Sequence, residues 1–159
     1  MPPLKRDPSL VPLSHDHHQG LLRAFFIRQA LRTSSGLEHQ AAVTREFFRA
    51  ELVPHFRAEE DVLFPLLAPL LEDEAGLVDE LRAEHRELEA LTAALDGSPE
   101  RLAAYAELLD RHIRTEERRL FERYQERVPA AERPAIEARL REALARAGKA
   151  DAACAVPKR

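Results

Sequence analysis

The sequence predicts an all-α fold, an up-down-up-down antiparallel four-helix bundle with an additional C-terminal helix, on three observations. Of 159 residues, 33% are charged and 45% hydrophobic, with 5 Gly and no Trp; long stretches of Leu, Ala, Glu and Arg in that mix describe helices with solvated outer faces. Apolar residues recur at spacings of three and four in four long segments, the period of a helix with one buried face. A pattern, HxRxEExxLF, occurs at residues 55–64 and again at 112–121, and a shorter one, Lxx(D/E)H, precedes each copy at 13–17 and 81–85. The chain therefore divides into two halves, each a helix with one His followed by a helix with a His and a Glu.

Taken in order, residues 1–12 contain Pro2, Pro3, Pro8 and Pro12 and read as an extended lead-in. The bundle spans 13–128. Its first helix starts at Ser14 as N-cap, with Asp16 in the first turn, and runs to about Thr33 with Leu13, His17, Leu21, Ala24 and Leu31 inward. Ser34, Ser35 and Gly36 break the chain. The second helix covers about Leu37 to Phe64 and is stopped by Pro65, with Pro54 predicting a kink beside His55. A connector over 65–76 leads to the third helix, about Leu77 to Leu95, with Leu81, His85, Leu88, Thr92 and Leu95 inside and Gly97 as cap. Ser98 followed by Pro99 is a helix start, and this fourth helix ends near Arg127, before Pro129. Within 129–147 an amphipathic helix carries Ile136, Leu140 and Leu144 on one face, to pack outside the bundle or against another subunit; 148–159 read as a flexible tail.

Composition excludes several function classes. The net charge of −4, with basic and acidic residues interleaved, offers no basic patch for nucleic acid. The single Cys, Cys154, cannot form an internal disulfide, and no apolar run approaches the roughly 18 residues a membrane span needs. A cytoplasmic protein is the expectation.

The spacing inside the long motif carries the chemistry. Residues four apart on a helix share a face, so His55 and Glu59 can grip one object, as can His112 and Glu116. Helical steps from His55 meet Phe48, Leu52, Val62 and Leu63; steps from His112 meet Tyr105, Leu108, Leu109 and Leu120. His and Glu thus replace apolar residues on inward faces, where leaving them unpaired costs several kcal/mol. With His17 and His85 the set is four imidazoles and two carboxylates: too many donors for one tetrahedral zinc, and suited to two octahedral ions sharing carboxylates, iron first and manganese second. His18 is the alternative to His17 on the first helix. Glu60 and Glu117 are rotated about 100° from the ligand direction, toward solvent or a bond to a His. Glu89 is either a third carboxylate near the ions or a surface residue, and His15 and His39 read as surface residues. The phenylalanines Phe25, Phe26, Phe47, Phe48, Phe64 and Phe121 read as bundle packing, with the alternative that some of them wall off the pocket from water.

These residues resemble the hemerythrin-like HHE cation-binding domains, whose signature is this series of His, His-xxx-Glu, His, His-xxx-Glu on four antiparallel helices; the resemblance covers roughly residues 10–127. It implies a non-haem di-iron centre, with Glu59 and Glu116 as bridges and His17, His55, His85 and His112 as terminal ligands. It also implies a small ligand such as oxygen, nitric oxide or peroxide, in sensing, detoxification or iron handling. The oxygen-carrying members have a second His one turn after the third-helix ligand, where this chain has Glu89; the likeness is to the wider HHE group. The alternative is a sensor or interaction module without catalysis, metal-gated or metal-free, read by a second copy or a regulatory protein through the C-terminal helix.

Overall fold

Local chemistry sets where each helix begins. In the computed structural model, which describes residues 5–154 and the side chains of 5–146, Asp7 caps a short 3-10 turn, Pro8–Leu10, by accepting from the Ser9 amide at 3.0 Å. That turn runs directly into helix α1 (Val11–Thr33). The lead-in expected to be extended through residue 12 is therefore helical from Pro8, and the cap is Asp7 rather than Ser14. Pro8 and Pro12 cause no break because each sits in a first turn, where its missing N–H has no partner to lose. The Ser14 hydroxyl donates instead to Glu117, at 2.8 Å.

After Ser34, left-handed at φ 50, and Gly36, the chain forms a helical rod in five pieces: α2 (Leu37–Phe47), a π turn (Phe48–Leu52), α3 (Val53–Ala58), a second π turn (Glu59–Leu63) and α4 (Phe64–Leu67). The rod passes through Pro65 to Leu67, so Pro65 does not end it. Both Pro54 and Pro65 follow a π turn closely. The amides of Val53 and Phe64 bond five residues back, to the carbonyls of Phe48 and Glu59, and the change of register takes up the proline's missing donor. Next come α5 (Leu77–Ala94) and a second rod: α6 (Pro99–Thr115), capped by the Ser98 hydroxyl, a third π turn (Glu116–Leu120) and α7 (Phe121–Arg127). There are no strands among the described residues, and no helix among them is long and apolar enough to cross a membrane.

The helices pack in a ring: α1 lies on α2 and α6, and α5 lies on α2 and α6. The α1–α6 seam is close at Gly20, where an added Cβ would stand 2.7 Å from Ile113 Cδ1. The predicted stripes are largely inside, although on α1 Gly20, Ile27 and Ala30 are buried while Leu21 and Leu31 are only half-buried. Phe25 and Phe26 are exposed rather than part of the bundle packing, and Phe47 is half-buried.

Helix α8 (Arg133–Cys154) packs on α3, the Glu59–Leu63 π turn and the N-terminal 3-10 turn, burying Ile136 and Leu140 against its own chain. Arg133 fixes its start, donating to the carbonyls of Val128 and Gln125 at 3.1 and 2.6 Å and to Asp7 at 3.0 Å. The helix continues past 147, where a flexible tail was expected to begin; residues 155–159 of that tail lie outside the described residues.

Two apolar clusters form the core. One contains Leu13, Val62, Leu63, Phe64, Leu81, Leu120 and Phe121 with Ile136 and Leu140; the other contains Ala24, Ile27, Leu52, Phe56, Leu88, Tyr105, Leu109 and Ile113. On both rods the chain passes from the second set to the first over the stretch that carries the inward His and Glu.

Candidate metal centre

His17 of α1, His55 of α3, His85 of α5, His112 of α6, and Glu59 and Glu116, the first residues of their π turns, are all buried, none more than 4% exposed. Donor atoms of His17, His55, Glu59 and Glu116 lie within 4.8 Å of one another, and so do those of Glu59, His85, His112 and Glu116. Both carboxylates belong to both groups. Glu59 points Oε1 at Nε2 of His55 (2.7 Å) and His17 (3.7 Å), and Oε2 at Nε2 of His85 (3.1 Å). Glu116 points Oε2 at Nε2 of His17 (2.9 Å), and Oε1 at Nε2 of His112 (3.2 Å) and His85 (3.9 Å). Each carboxylate divides its oxygens between a His pair from the first half of the chain and a pair from the second.

Every imidazole is held from behind. Nδ1 of His17 meets Glu117 at 2.8 Å, that of His55 meets Asp16 at 3.0 Å, that of His85 meets Glu60 at 2.9 Å, and that of His112 meets Glu84 at 3.4 Å. A carboxylate only accepts, so each Nδ1 is the donor, and in the neutral ring the proton sits there and the Nε2 lone pair faces the centre. All four rings thus present the tautomer that a metal ligand needs.

The electrostatics show what the cluster lacks. Burial alone would push His55 down, but the Glu59 charge and the Asp16 bond raise it to about 9. Burial is likewise outweighed at His85 by Glu116 and Glu59, which raise it to about 10, and His17 and His112 also stand above their ordinary value. Glu59, pushed up by burial and by Glu116, is brought down to about 2 by His55 and His17; Glu116 is held well below the carboxylate range by His112, His17 and His85. Without metal, protons gather where cations belong. The arrangement is poor for protons, because Nε2 of His17 and His55 are only 3.1 Å apart and can share one but not carry one each. Both oxygens of Glu59 and Glu116 and the Nε2 atoms of His85 and His112 are buried with no hydrogen-bond partner among the described residues. Buried polar atoms that meet opposite charge without an aligned hydrogen bond are costly, and metal ions would satisfy all of these atoms at once. With nitrogen and oxygen donors and no thiolate, the set fits iron or manganese better than structural zinc.

Aromatic rings wall the centre. Phe56 and Phe64 stack on His85, with centroids at 3.8 and 5.5 Å, and Phe121 stacks on His17 at 5.3 Å. The π turns put two of these rings in place. Five residues beyond a Glu, a side chain on a regular α-helix points about 140° away; a π turn brings it back round. In both copies of the motif the Phe amide bonds to the carbonyl of the Glu five residues earlier, Phe64 to Glu59 and Phe121 to Glu116. Proline is not the common cause, since none follows the third π turn closely.

The structure brings together all six sequence-predicted donors. It leaves out His18 and Glu89, both exposed, so His17 rather than His18 faces the centre and Glu89 takes its surface alternative. Glu60 and Glu117 take the His-bonded alternative rather than pointing to free solvent. Sequence reasoning missed Asp16 and Glu84 as His partners, although the acidic position of Lxx(D/E)H was their signal, and it missed Phe56. A family model described as Hemerythrin HHE cation binding domain matches residues 9–124. No curated protein and no solved structure matches the chain.

Proposed function

The chain belongs to the hemerythrin HHE cation-binding domain family, and on that premise we propose that it is a non-haem di-iron protein that binds or reacts with a small diatomic or peroxide ligand. His17 and His55 would hold one ion and His85 and His112 the other, with Glu59 and Glu116 shared between the two groups. The observation that carries this is the division of each carboxylate's oxygens between the two His pairs. When bound, an iron pair with open coordination positions supplies binding and electron transfer to oxygen, nitric oxide or peroxide. The protein's own residues do the rest. Asp16, Glu60, Glu84 and Glu117 keep the Nε2 atoms directed inward; Phe56, Phe64 and Phe121 exclude water and stiffen His85 and His17.

The helices alternate in direction, up-down-up-down. Support comes from the order in which each meets the apolar clusters. Leu13 precedes His17 and Ala24 on α1, while Leu52 precedes His55 and Val62 on the first rod; Leu81 precedes His85 and Leu88 on α5, while Leu109 precedes His112 and Leu120 on the second rod.

Iron analysis of protein purified without chelator tests the reading, with near-ultraviolet oxo-iron absorption as the companion signal. Two irons per chain are expected; protein that holds none, and whose stability is indifferent to chelator, removes the proposal. A second reading, a metal-gated sensor, is favoured by one contact: α8 lies on α3 and the π turn that begins at Glu59. Redox-dependent change in the exposure of α8 to protease, without turnover of any ligand, is its signature.

A further inference from the structure

The four carboxylates behind the imidazoles have a regular origin. Asp16 and Glu84 occupy the acidic position of the two Lxx(D/E)H elements, and Glu60 and Glu117 follow the inward Glu in the two copies of the long motif. Their bonds form a closed circuit: Asp16 and Glu84 each hold the other His of their own half, His55 and His112, while Glu60 and Glu117 cross to His85 and His17. With Glu59 and Glu116 they place six carboxylates around four imidazoles.

We infer that Asp16, Glu60, Glu84 and Glu117 form an outer ring of positioning carboxylates that biases the centre toward trivalent over divalent ions, with Arg6 as a built-in counterweight. The inference rests on the di-iron reading above. Six negative charges balance two trivalent ions, and exceed two divalent ions by two. In a buried site that excess favours the oxidised pair, and a carboxylate behind an imidazole strengthens the ring as a donor, which acts in the same direction. Arg6 opposes it: its guanidinium reaches Glu117 Oε2 at 2.7 Å and the Glu117 carbonyl at 3.1 Å, over the face of Phe121. Arg111 comes within 3.7 Å of Glu84 but is itself 60% exposed, so water screens it. The ring is also graded. The Glu84 side chain is 9% exposed and that of Asp16 16%, against 39% for Glu60, so the first two act through less solvent.

The test uses the full-length, iron-loaded chain and measures its midpoint potential by mediated spectroelectrochemistry. Glu84→Gln and Asp16→Asn, which keep shape and remove charge, are expected to raise the midpoint. The size is roughly tenfold in the oxidised-to-reduced ratio at fixed potential, about 59 mV per electron. Glu60→Gln shifts it less, and Arg6→Gln shifts it downward. A merely structural ring would not give opposite signs for lost carboxylate and lost cation. A redox-free readout runs alongside: Glu84→Gln weakens gallium(III) binding more than manganese(II) binding. Unmoved potentials, or a rise for Arg6→Gln as well, overturn the inference while leaving the di-iron reading intact. A wild-type chain that takes up no iron overturns both. Should Glu84→Gln fail to hold iron, the sign of the Arg6→Gln shift decides the matter, because Arg6 touches none of the six donors.

Discussion

Loading the metal-free protein with cobalt(II), an air-stable probe, is expected to release protons, and the structure sets a minimum. With His55 at about 9 and His85 at about 10, both are more than roughly nine-tenths protonated near pH 7.5. His17 and His112 are raised too, but His17 shares its inward proton with His55 across 3.1 Å. Counting only His55 and His85, at least about two are released per chain. Each displaced proton changes the apparent affinity about tenfold per pH unit, so the two-ion loading constant climbs roughly a hundredfold per unit, flattening as pH passes about 9 to 10. Loading therefore weakens well above the ordinary histidine range, sooner on acidification than neutral imidazoles would require. Calorimetric titration in two buffers of different ionisation heat reads the proton count directly. A count below about half a proton per chain, or an affinity flat across pH 6.5 to 8.5, would refute the account of charge in the centre.

Three further outcomes follow from the same structure. In the metal-free protein the raised His55 and His85 contribute stability that is complete below the ordinary 6.5 and is lost as pH rises through about 9 and 10, at about 1.4 kcal/mol per proton per pH unit. Glu59, lowered to about 2, has the opposite sense: its contribution is present above 4.5 and goes as pH falls toward about 2. Melting curves should decline between pH 7 and 10 without metal and stay level with it. Gly20→Val drives a side chain into Ile113 and is expected to cost about 2 kcal/mol in urea unfolding, since overpacking typically costs 1–3; an unchanged midpoint contradicts the close α1–α6 seam. Leu140→Ala, on a fully buried residue of α8, is expected to lose about 3 kcal/mol, and a loss under 1 would mean that α8 is not part of the core.

Much of the centre was legible because burial and chemistry leave the same trace. A His at 55 or 112 in the middle of Leu and Phe at helical spacing can only be an inward polar residue, and duplication made both pairs visible. Ser98 before Pro99 located a helix start because capping is a local transaction between a hydroxyl and an amide, here Arg101 N at 3.4 Å. What escaped was whatever depends on the path of the backbone between local signals. A reading at 100° per residue turns Phe64 and Phe121 away from the carboxylates, and the two π turns that begin at Glu59 and Glu116 reverse that. Pro65 looked like a stop because the usual hydrogen-bond register was assumed to reach it. Asp7 was hidden because residues rich in proline were taken as extended, although a proline in a first turn is as compatible with a helix as with a strand. Phe25 and Phe26 were assigned inward by their chemistry alone, and their positions on α1 face out.

Each His pair comes from one half of the chain, while the carboxylates between the pairs come one from each, so neither hairpin is self-sufficient. A fragment ending at Leu67 carries two of the imidazoles and one of the inner carboxylates, and two identical copies of it, placed face to face, would restore the full complement. The present chain carries both sets on a single polypeptide. The two halves are not identical: Asp16 in one corresponds to Glu84 in the other, and Arg6 braces Glu117, behind His17. The surroundings of His17 and His55 therefore differ from those of His85 and His112, and the two ends of the centre are not interchangeable.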